Sequence, residues 1–205
     1  RLDWFKRYLN DLLTKDIRDI TEIRKVNVLN GIAEWMFAHT SQFFSINELA
    51  SKASVSKETV LNYIEAIKAM YLFDELSAWN KSDYDKLGKR SKYMATDSSM
   101  VANVLGWNEE NVYLDEQKNG KLIETWVYNQ LSSIADLSHE YTISHYRDNK
   151  KREIDFLVER HDGAILGIEV KSGTVNKGDF KHLKWFAENL AKKDFIGIVL
   201  YSGEH

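Results

Sequence analysis

The sequence predicts an α+β protein, with a helical domain over residues 1–105 and a mixed α/β domain over residues 106–205. Three observations predict it. Before residue 70, apolar side chains recur three and four positions apart, which is the spacing of amphipathic helices. After residue 140, short apolar stretches are typical of strands and are interrupted by a helix-like segment. A length of 205 residues allows two domains of about 100 residues each, and the polar segment 105–111 is the predicted boundary.

Two serines mark the predicted starts of consecutive helices in the first domain. Ser45 is the expected N-cap of a short helix, with Glu48 completing a capping box. Ser56 is the expected N-cap of a longer helix over residues 57–70, after a tight turn at residues 54–56. This spacing predicts a helix-turn-helix, in which the second helix can lie in a DNA major groove. The predicted core consists of apolar residues at helical spacing: Leu2, Phe5, Leu9, Leu12, Leu13, Ile32, Trp35, Met36, Phe37, Val60, Leu61, Ile64 and Ile67.

Segments 71–76 and 92–96 have the residue types of two short strands around a polar loop at residues 80–86. After a helix-turn-helix, two such strands predict a wing, and therefore a winged helix. Basic residues lie beside this wing and on the recognition helix, and a second basic group precedes a strand of the second domain. The candidate nucleic-acid contacts are Lys57, Lys89, Arg90, Lys92, Arg147, Lys150, Lys151 and Arg152. Contacts with phosphates would make binding fall with salt, whereas the alternative is that both groups are solvated loops.

The second domain is predicted to contain a helix, three strands, a helix and a final strand. The first helix covers residues 120–131 and carries Glu124 at the edge of its apolar face. That face consists of Ile123, Trp126, Val127, Leu131 and Ile134. Strands at residues 141–146, 153–159 and 165–171 are followed by a helix over residues 178–193. Residues 195–201 form a continuous apolar run, which predicts a buried strand.

Charged residues interrupt the apolar pattern of the second and third of these strands. Asp155 lies in the second strand, while Glu169 and Lys171 lie in the third, where alternation makes them project together. If His161-Asp162-Gly163 is a three-residue loop with its glycine in the left-handed conformation, Asp155 lies opposite Glu169. A two-residue loop would shift the register by one residue and separate the two carboxylates. We favour the three-residue loop.

Two carboxylates this close repel each other unless a cation lies between them. Asp and Glu oxygens beside an ammonium group suit Mg²⁺ or Mn²⁺ rather than zinc. The Lys171 ammonium can then orient or deprotonate a water molecule. Glu124, at an edge that can reach the polar rim of the sheet, is a candidate third carboxylate.

The order of helices and strands, together with Glu124, Asp155 and Glu169-Val170-Lys171, resembles the PD-(D/E)xK nuclease-like superfamily, which has the restriction-endonuclease-like fold. The resemblance covers roughly the second half of the chain. It implies that Asp155 and Glu169 bind Mg²⁺, that Lys171 positions the attacking water and that Glu124 completes the site. Ile154 stands where the proline of the superfamily name would be, and many members lack that proline.

A winged helix followed by a nuclease-like domain resembles the C-terminal region of a family of prokaryotic predicted AAA+ ATPases. The residues that carry this resemblance are Lys15-Asp16-Ile17 and segments 59–65, 89–93 and 122–127. It implies an ATPase domain as a partner within a longer protein. The ATPase itself is not in this sequence, because no G-x-x-x-x-G-K-[ST] loop is present. An initial arginine instead of methionine also predicts a fragment.

Composition predicts a cytoplasmic protein with no membrane-spanning segment. The sequence has no cysteine, which excludes disulfides and zinc–thiolate sites. No apolar run approaches the roughly 20 residues of a membrane-spanning helix or resembles a signal peptide. A net charge of −3 and an isoelectric point of about 6.1 lack the basic surplus of many nucleic-acid-binding proteins, so local basic groups matter more. The six histidines are scattered and are expected to be ordinary structural or surface residues.

Three functions are compatible with these patterns. The first is Mg²⁺-dependent hydrolysis of phosphodiester bonds in DNA by Asp155, Glu169, Lys171 and Glu124. The second is a catalytically silent module that recognises nucleic acid or protein and is coupled to the missing ATPase domain. The third is a protein–protein scaffold, which the winged helix and the acidic isoelectric point favour.

Overall fold

The computed structural model describes residues 2–14, 25–80, 90–191 and 194–202. The chain forms two compact units, each made of two segments. The first unit contains Arg1–Glu75 and Lys92–Val112, and the second contains Leu76–Ser91 and Tyr113–His205. This division differs from a single boundary near residue 105, because residues 77–80 and 90–91, between the two predicted strands of the wing, belong to the second unit. Within the described residues, no helix is long and apolar enough to cross a membrane.

The first unit is built mainly from helices. Its elements are α1 (Leu2–Thr14), α2 (Val26–Ala38), α3 (Ile46–Ala53), α4 (Lys57–Ala69), β1 (Phe73–Leu76), β2 (Lys92–Ala95), α5 (Ser98–Val104) and α6 (Glu109–Tyr113). The last residues of β1 and α6 fall within the second unit. β1 and β2 pair as a two-stranded sheet.

The two predicted helix starts are confirmed. Ser45 Oγ accepts a hydrogen bond from the Glu48 N–H at 3.4 Å, and Ser56 Oγ accepts one from the Thr59 N–H at 3.1 Å. The Glu48 carboxylate lies 2.9 Å from Lys52 Nζ, so it forms an ion pair instead of completing the predicted capping box.

The core of the first unit contains most of the predicted apolar residues. The buried ones are Leu9, Leu13, Ile32, Met36, Phe37, Val60, Ile64 and Ile67. The prediction for Leu61 is wrong, because this residue is 40% exposed and Tyr63 is buried in its place. Each residue of a helix is rotated by about 100° from the one before, so Leu61 lies well away from Val60 on the surface of α4.

The second unit contains α7 (Glu116–Ser138), β3 (Tyr141–Arg147), β4 (Glu153–Arg160), β5 (Ile165–Lys171), one turn of 3₁₀ helix (Lys177–Phe180), α8 (Lys181–Asn189) and β6 (Phe195–Tyr201). The predicted order of helix, three strands, helix and strand is confirmed. The strands lie in the order β3-β4-β5-β6. The first two pairs of neighbours are antiparallel, and β6 is parallel to β5.

Helices cover both faces of this sheet. Tyr128 of α7 stacks on Phe156, with 6.2 Å between the ring centroids. Leu183 and Phe186 of α8 belong to a buried cluster with Leu157. Because Phe156 and Leu157 are consecutive residues of a strand, their side chains point to opposite faces. The second unit therefore has three layers, with the sheet in the middle.

Two predictions about burial in the second unit are wrong. Trp126 and Ile134 are expected in the apolar face of α7, but they are 55% and 58% exposed. Val127 is buried as predicted, together with Thr125 and Tyr128. β6 was expected to be a buried strand, but it lies at the edge of the sheet, where Ile196 is 64% exposed. An apolar run does not by itself specify how many neighbours a strand has.

Residues 77–80 join the second unit at the edge of β3. Ala78 forms a parallel β-bridge with His145, and the Trp79 N–H donates to the His145 carbonyl at 2.7 Å. The Trp79 side chain is 8% exposed and packs against Phe186, with 5.0 Å between the ring centroids. Its Nε1–H donates to Glu159 Oε2 at 2.8 Å. These contacts explain why this segment belongs to the second unit.

Candidate active site

The hairpin between β4 and β5 sets the geometry of the candidate site. Its loop is residues 161–163, and Gly163 has a φ of 86°, in the left-handed region that glycine adopts at little cost. The Arg160 N–H donates to the Ala164 carbonyl at 2.9 Å. The predicted three-residue loop is therefore confirmed, and the alternative two-residue register is wrong.

This register brings the two candidate carboxylates together. Phe156 pairs with Ile168, so continuing the register by one residue places Asp155 opposite Glu169. At this point Asp155 Oδ2 accepts a hydrogen bond from the Val170 N–H at 2.9 Å. A side-chain oxygen thus takes the place that a strand carbonyl occupies in regular pairing.

β4 is also irregular at Asp155 along its edge with β3. Ser144 pairs with Leu157 and Tyr146 pairs with Ile154, so three steps along β4 match two along β3. The extra residue lies at positions 155–156, which is the arrangement of a β-bulge. Bulges are frequent next to active sites because they redirect a side chain. Asp155 therefore leaves regular strand pairing on both sides.

Glu169 and Lys171 form a partly desolvated ion pair. Glu169 is only 7% exposed, and burial, followed by the charge of Asp155, raises the pKa of its carboxyl to about 7. Lys171 Nζ lies 3.2 Å from Glu169 Oε2 and opposes this rise. Burial acts to lower the pKa of Lys171, but the charges of Glu169 and Asp155 outweigh it and raise that pKa. A buried, perturbed acid beside a second acid and a cation is typical of functional sites.

Glu124 lies on the side of α7 that faces the hairpin. It is one helical turn from Gly120 and one from Tyr128, so the three residues share a face. Tyr128 stacks on Phe156, and a Cβ at Gly120 would lie 3.8 Å from Ser172 Oγ, just after β5. Among the described residues, however, no three acidic, His or Cys side chains are close enough to hold a metal ion. Glu124 therefore does not complete a three-carboxylate group.

The basic residues predicted in the first half of the chain fall into different environments. Lys57 is exposed in the first turn of α4, and Arg90 is exposed while its carbonyl accepts a hydrogen bond from His145 Nε2 at 3.0 Å. Lys92 is only 2% exposed, with Nζ 5.3 Å from the centroid of the Phe43 ring. A side chain buried in this way cannot reach a phosphate, so the prediction for Lys92 is corrected. Lys89 lies outside the described residues.

The second basic group, residues 147 and 150–152, surrounds a turn that is stabilised by hydrogen bonds to the Asp148 side chain. Asp148 Oδ1 accepts the N–H groups of Lys150 and Arg152 at 2.8 and 3.0 Å. Its Oδ2 accepts Arg152 Nε–H at 2.6 Å and the Tyr146 hydroxyl at 3.4 Å. Burial, and then the charge of Asp148, raises the pKa of Tyr146 to about 12. Lys150 and Lys151 remain exposed.

Both arginines of the second basic group have partners within the protein. The Arg152 guanidinium stacks on Trp185, 3.3 Å from the ring centroid, so it packs internally instead of projecting as a phosphate contact. Arg147 lies 3.5 Å from the Glu153 carboxylate and is partly exposed. Arg152 therefore acts mainly on the position of the turn.

Two exposed lysines were missed by the sequence predictions. Lys181 and Lys184 are exposed on α8, the helix whose Trp185 packs under Arg152 of the Asp148 turn. Their spacing of three residues in a predicted helix was a usable signal, because it puts both on one face.

Comparison with known proteins gives families and relatives of unknown function. Residues 119–205 match the family described as "Domain of unknown function (DUF4143)". The Uncharacterized protein Mb2031c of Mycobacterium bovis and the Uncharacterized protein Rv2008c of Mycobacterium tuberculosis are each 26% identical over 173 residues. The alignment covers 82% of this chain but only 37% of each relative. No solved structure matches the chain.

A second family covers the other part of the sequence. Residues 1–111, which are more than half of the 205 residues, match the family described as "Domain of unknown function (DUF8612)". The chain therefore belongs to the DUF8612 family.

Proposed function

We propose that the second unit is a PD-(D/E)xK nuclease-like domain that hydrolyses phosphodiester bonds in DNA with Mg²⁺ or Mn²⁺. The observation that carries this proposal is the placement of Asp155 opposite Glu169, with Lys171 paired to Glu169. We also propose that the chain is the C-terminal region of a cytoplasmic AAA+ ATPase. The chain covers only 37% of its mycobacterial relatives, which leaves room in them for such a domain.

The topology of the sheet supports the nuclease-like fold. A helix precedes three antiparallel strands, and a second helix leads to a strand parallel to β5. The candidate acids lie where regular pairing between β4 and β5 ends. Ile154 lies next to Asp155 and is fully buried, so an apolar side chain fits the position of the proline in the superfamily name.

The donor groups fit a hard divalent cation. Asp155 and Glu169 supply carboxylate oxygens from adjacent strands, and the charge of Asp155 is one of the causes that raise the pKa of Glu169. Mg²⁺ is often held by only one or two carboxylates, together with water and phosphate oxygens of a substrate. The pair is therefore sufficient. A bound divalent cation supplies charge that stabilises a phosphodiester in its transition state, and it lowers the pKa of water.

The protein's own groups provide positioning and charge balance. The Val170 N–H holds the Asp155 carboxylate in one orientation. Lys171 counteracts the effect of burial on Glu169 and so favours its ionised form. In this proposal the Lys171 ammonium also donates a hydrogen bond to the attacking water or to a phosphate oxygen. Glu124 supports the site from α7 without joining a three-carboxylate group.

We propose that the first unit is a winged helix-turn-helix. α3 and α4 are joined by a short turn in which Ser54 has a φ of 53°, and β1 and β2 form the paired strands of the wing. Lys57 lies in the first turn of α4, beside the acidic Glu58. This mixture of charges fits either a DNA or a protein partner for α4.

A catalytically silent recognition module is the second candidate. It is favoured because both acids already have partners, namely the Val170 N–H for Asp155 and the ammonium of Lys171 for Glu169. The two candidates differ in a direct way. A nuclease needs these acids to bind a divalent cation, whereas a silent module needs them only for stability.

Binding of Mn²⁺ tests the proposal without depending on turnover. We expect Asp155→Asn to weaken Mn²⁺ binding on the order of tenfold or more, as followed by electron paramagnetic resonance. The matched control is Asp162→Asn, which removes an exposed carboxylate from the same hairpin and should leave the affinity unchanged. Equal affinities for wild type and Asp155→Asn would favour the silent module.

A further inference from the structure

We propose that the Asp148 turn and the exposed face of α8 form one surface that binds the phosphate backbone of double-stranded DNA. We name it the lysine platform, and it consists of Lys150, Lys151, Lys181 and Lys184. The inference rests on the proposed function, because it assigns the substrate-binding surface of the same unit. Lys181 and Lys184 lie outside every basic group that the sequence predicted.

The turn presents its lysines from a fixed backbone. Asp148 accepts two backbone N–H groups and one guanidinium N–H within residues 148–152, so its side chain organises the whole turn. The backbone N–H of Lys151 donates to the Asp148 carbonyl at 3.0 Å and that of Asp148 to the Arg152 carbonyl at 3.1 Å. The side chains of Lys150 and Lys151 are exposed on this frame. The backbone of such a turn therefore needs no further ordering when it binds a ligand.

Lys151 adopts a backbone conformation that a lysine rarely takes. Its φ is 60°, in the left-handed region, where glycine or asparagine is the usual residue. A purely structural turn would be served better by glycine. Residues kept in such conformations are concentrated at functional sites. The presence of lysine here therefore points to a role for its side chain.

Three contacts join α8 to the turn and to the strand ends beside it. The Arg152 guanidinium lies over Trp185, and Tyr146 packs against the same indole with 6.2 Å between the ring centroids. His182 Nδ1 lies 3.0 Å from the carbonyl of Glu153, at the start of β4. Lys184 is adjacent to Trp185, and Lys181 precedes it by one helical turn. The lysines of the turn and of the helix therefore belong to neighbouring surfaces.

The platform carries a surplus of positive charge. Within the part of the chain that the structure describes, none of the four ammonium groups forms an ion pair with a carboxylate. Asp148 and Glu153 are paired with Arg152 and Arg147, respectively. Asp179 accepts the Asn176 N–H at 2.8 Å and keeps its charge, and Glu188 is exposed one helical turn after Lys184. The four lysines therefore outnumber the two acids that lack an arginine partner.

Position and chemistry identify the ligand. The turn leads directly into β4, and Glu153 is two residues before Asp155, so a backbone held on the platform passes close to the candidate acids. Lysines are flexible point charges that contact phosphates without reading bases. Single strands are usually held by bases stacked on exposed aromatic rings. Trp185 is already stacked with Arg152, so the platform favours the backbone of a duplex.

Fluorescence anisotropy with a labelled DNA duplex in EDTA tests this inference separately from cleavage. We expect Lys150→Gln/Lys151→Gln and Lys181→Gln/Lys184→Gln each to reduce the slope of log affinity against log salt by about two. Arg7→Gln/Lys25→Gln makes the same charge change on two exposed basic residues of the first unit outside α3 and α4 and should keep the wild-type slope. Asp155→Asn should bind the duplex at least as tightly as wild type, since it removes negative charge.

Lys151→Gly separates a role in binding from a role in folding. Glycine relieves the left-handed conformation, so the melting temperature should stay the same or rise while affinity for the duplex falls. If both double variants of the platform keep the wild-type slope of log affinity against log salt, the inference is wrong. The proposed nuclease activity would not be affected by that result. Binding that is lost equally in the Arg7/Lys25 control would also overturn it, because the effect would then come from total charge.

Discussion

Asp155 accepts a hydrogen bond from the backbone N–H of Val170, one residue beyond Glu169, at 2.9 Å. This contact closes the end of the β4–β5 pairing and fixes the carboxylate of Asp155 beside that of Glu169. It also explains why two acids can be brought together at one end of these strands. One acid is held by an N–H group and the other by the ammonium of Lys171.

The stability of the second unit should depend on pH through Glu169. The folded-state pKa of about 7 is above the ordinary 4.5, so the folded protein binds this proton more tightly than the unfolded chain. The resulting stabilisation is present below pH 4.5 and is lost as the pH rises through about 7. Glu169→Gln keeps the shape without the charge, so its advantage over wild type should grow from pH 5 to pH 8.

Urea unfolding of both proteins at about pH 5 and pH 8 in EDTA measures this difference. The difference between the two proteins isolates Glu169 from the other carboxylates. An advantage for Glu169→Gln that is the same at both pH values would contradict the raised pKa.

Trp79→Ala should strongly destabilise the second unit. The indole is 8% exposed, packs against Phe186 and donates to Glu159, so its loss leaves a cavity and an acceptor without its donor. We expect a cost of about 3–5 kcal/mol in the free energy of unfolding. Trp126→Ala is the matched control, because that indole is 55% exposed and should cost little. Equal costs for the two variants would contradict the placement of residues 77–80.

A fragment of residues 106–205 alone should fold poorly for the same reason. It lacks Trp79 and the bridge between Ala78 and His145, and it exposes the apolar surface around Phe186. Circular dichroism melting of this fragment, beside the full chain, measures the loss. Full stability of the fragment would show that the segment adds nothing to the second unit.

Lys92→Ala should lower the stability of the first unit without affecting DNA binding by the folded protein. The side chain is 2% exposed, so the substitution removes buried packing at a cost of about 1–3 kcal/mol. Arg90→Ala is the control, because Arg90 is exposed and should have little effect on unfolding. A stable Lys92→Ala protein with weakened DNA affinity would restore the original assignment of Lys92.

Features that depend on local sequence were predicted well. The β4–β5 register followed from alternation and from Gly163, whose left-handed conformation is needed for a three-residue loop. The starts of α3 and α4 followed from Ser45 and Ser56, whose hydroxyls cap the first turns. In each case the deciding interactions join residues close together in the sequence.

Features that depend on distant residues were not predicted. Leu61 and Trp126 lie at the edges of apolar stripes, and only the packing partners decide which edge is buried. The burial of Trp79 requires Phe186, more than 100 residues later, and Lys92 is buried beside Phe43. The helix α8, which carries two of the platform lysines, contacts the turn at residues 148–152 through Trp185. Periodicity alone cannot reveal this contact.

The most direct measurement is cleavage of supercoiled, linear and single-stranded DNA by the wild-type protein and by Lys171→Ala in Mg²⁺ or Mn²⁺. Lys177→Ala, which removes an exposed lysine outside the acidic pair, serves as the matched control. We expect the wild type and Lys177→Ala to cleave DNA only with a divalent cation, and Lys171→Ala to lose this activity while keeping its fold. Cleavage that persists in Lys171→Ala, or no cleavage by the wild type, would contradict a nuclease site at Asp155, Glu169 and Lys171.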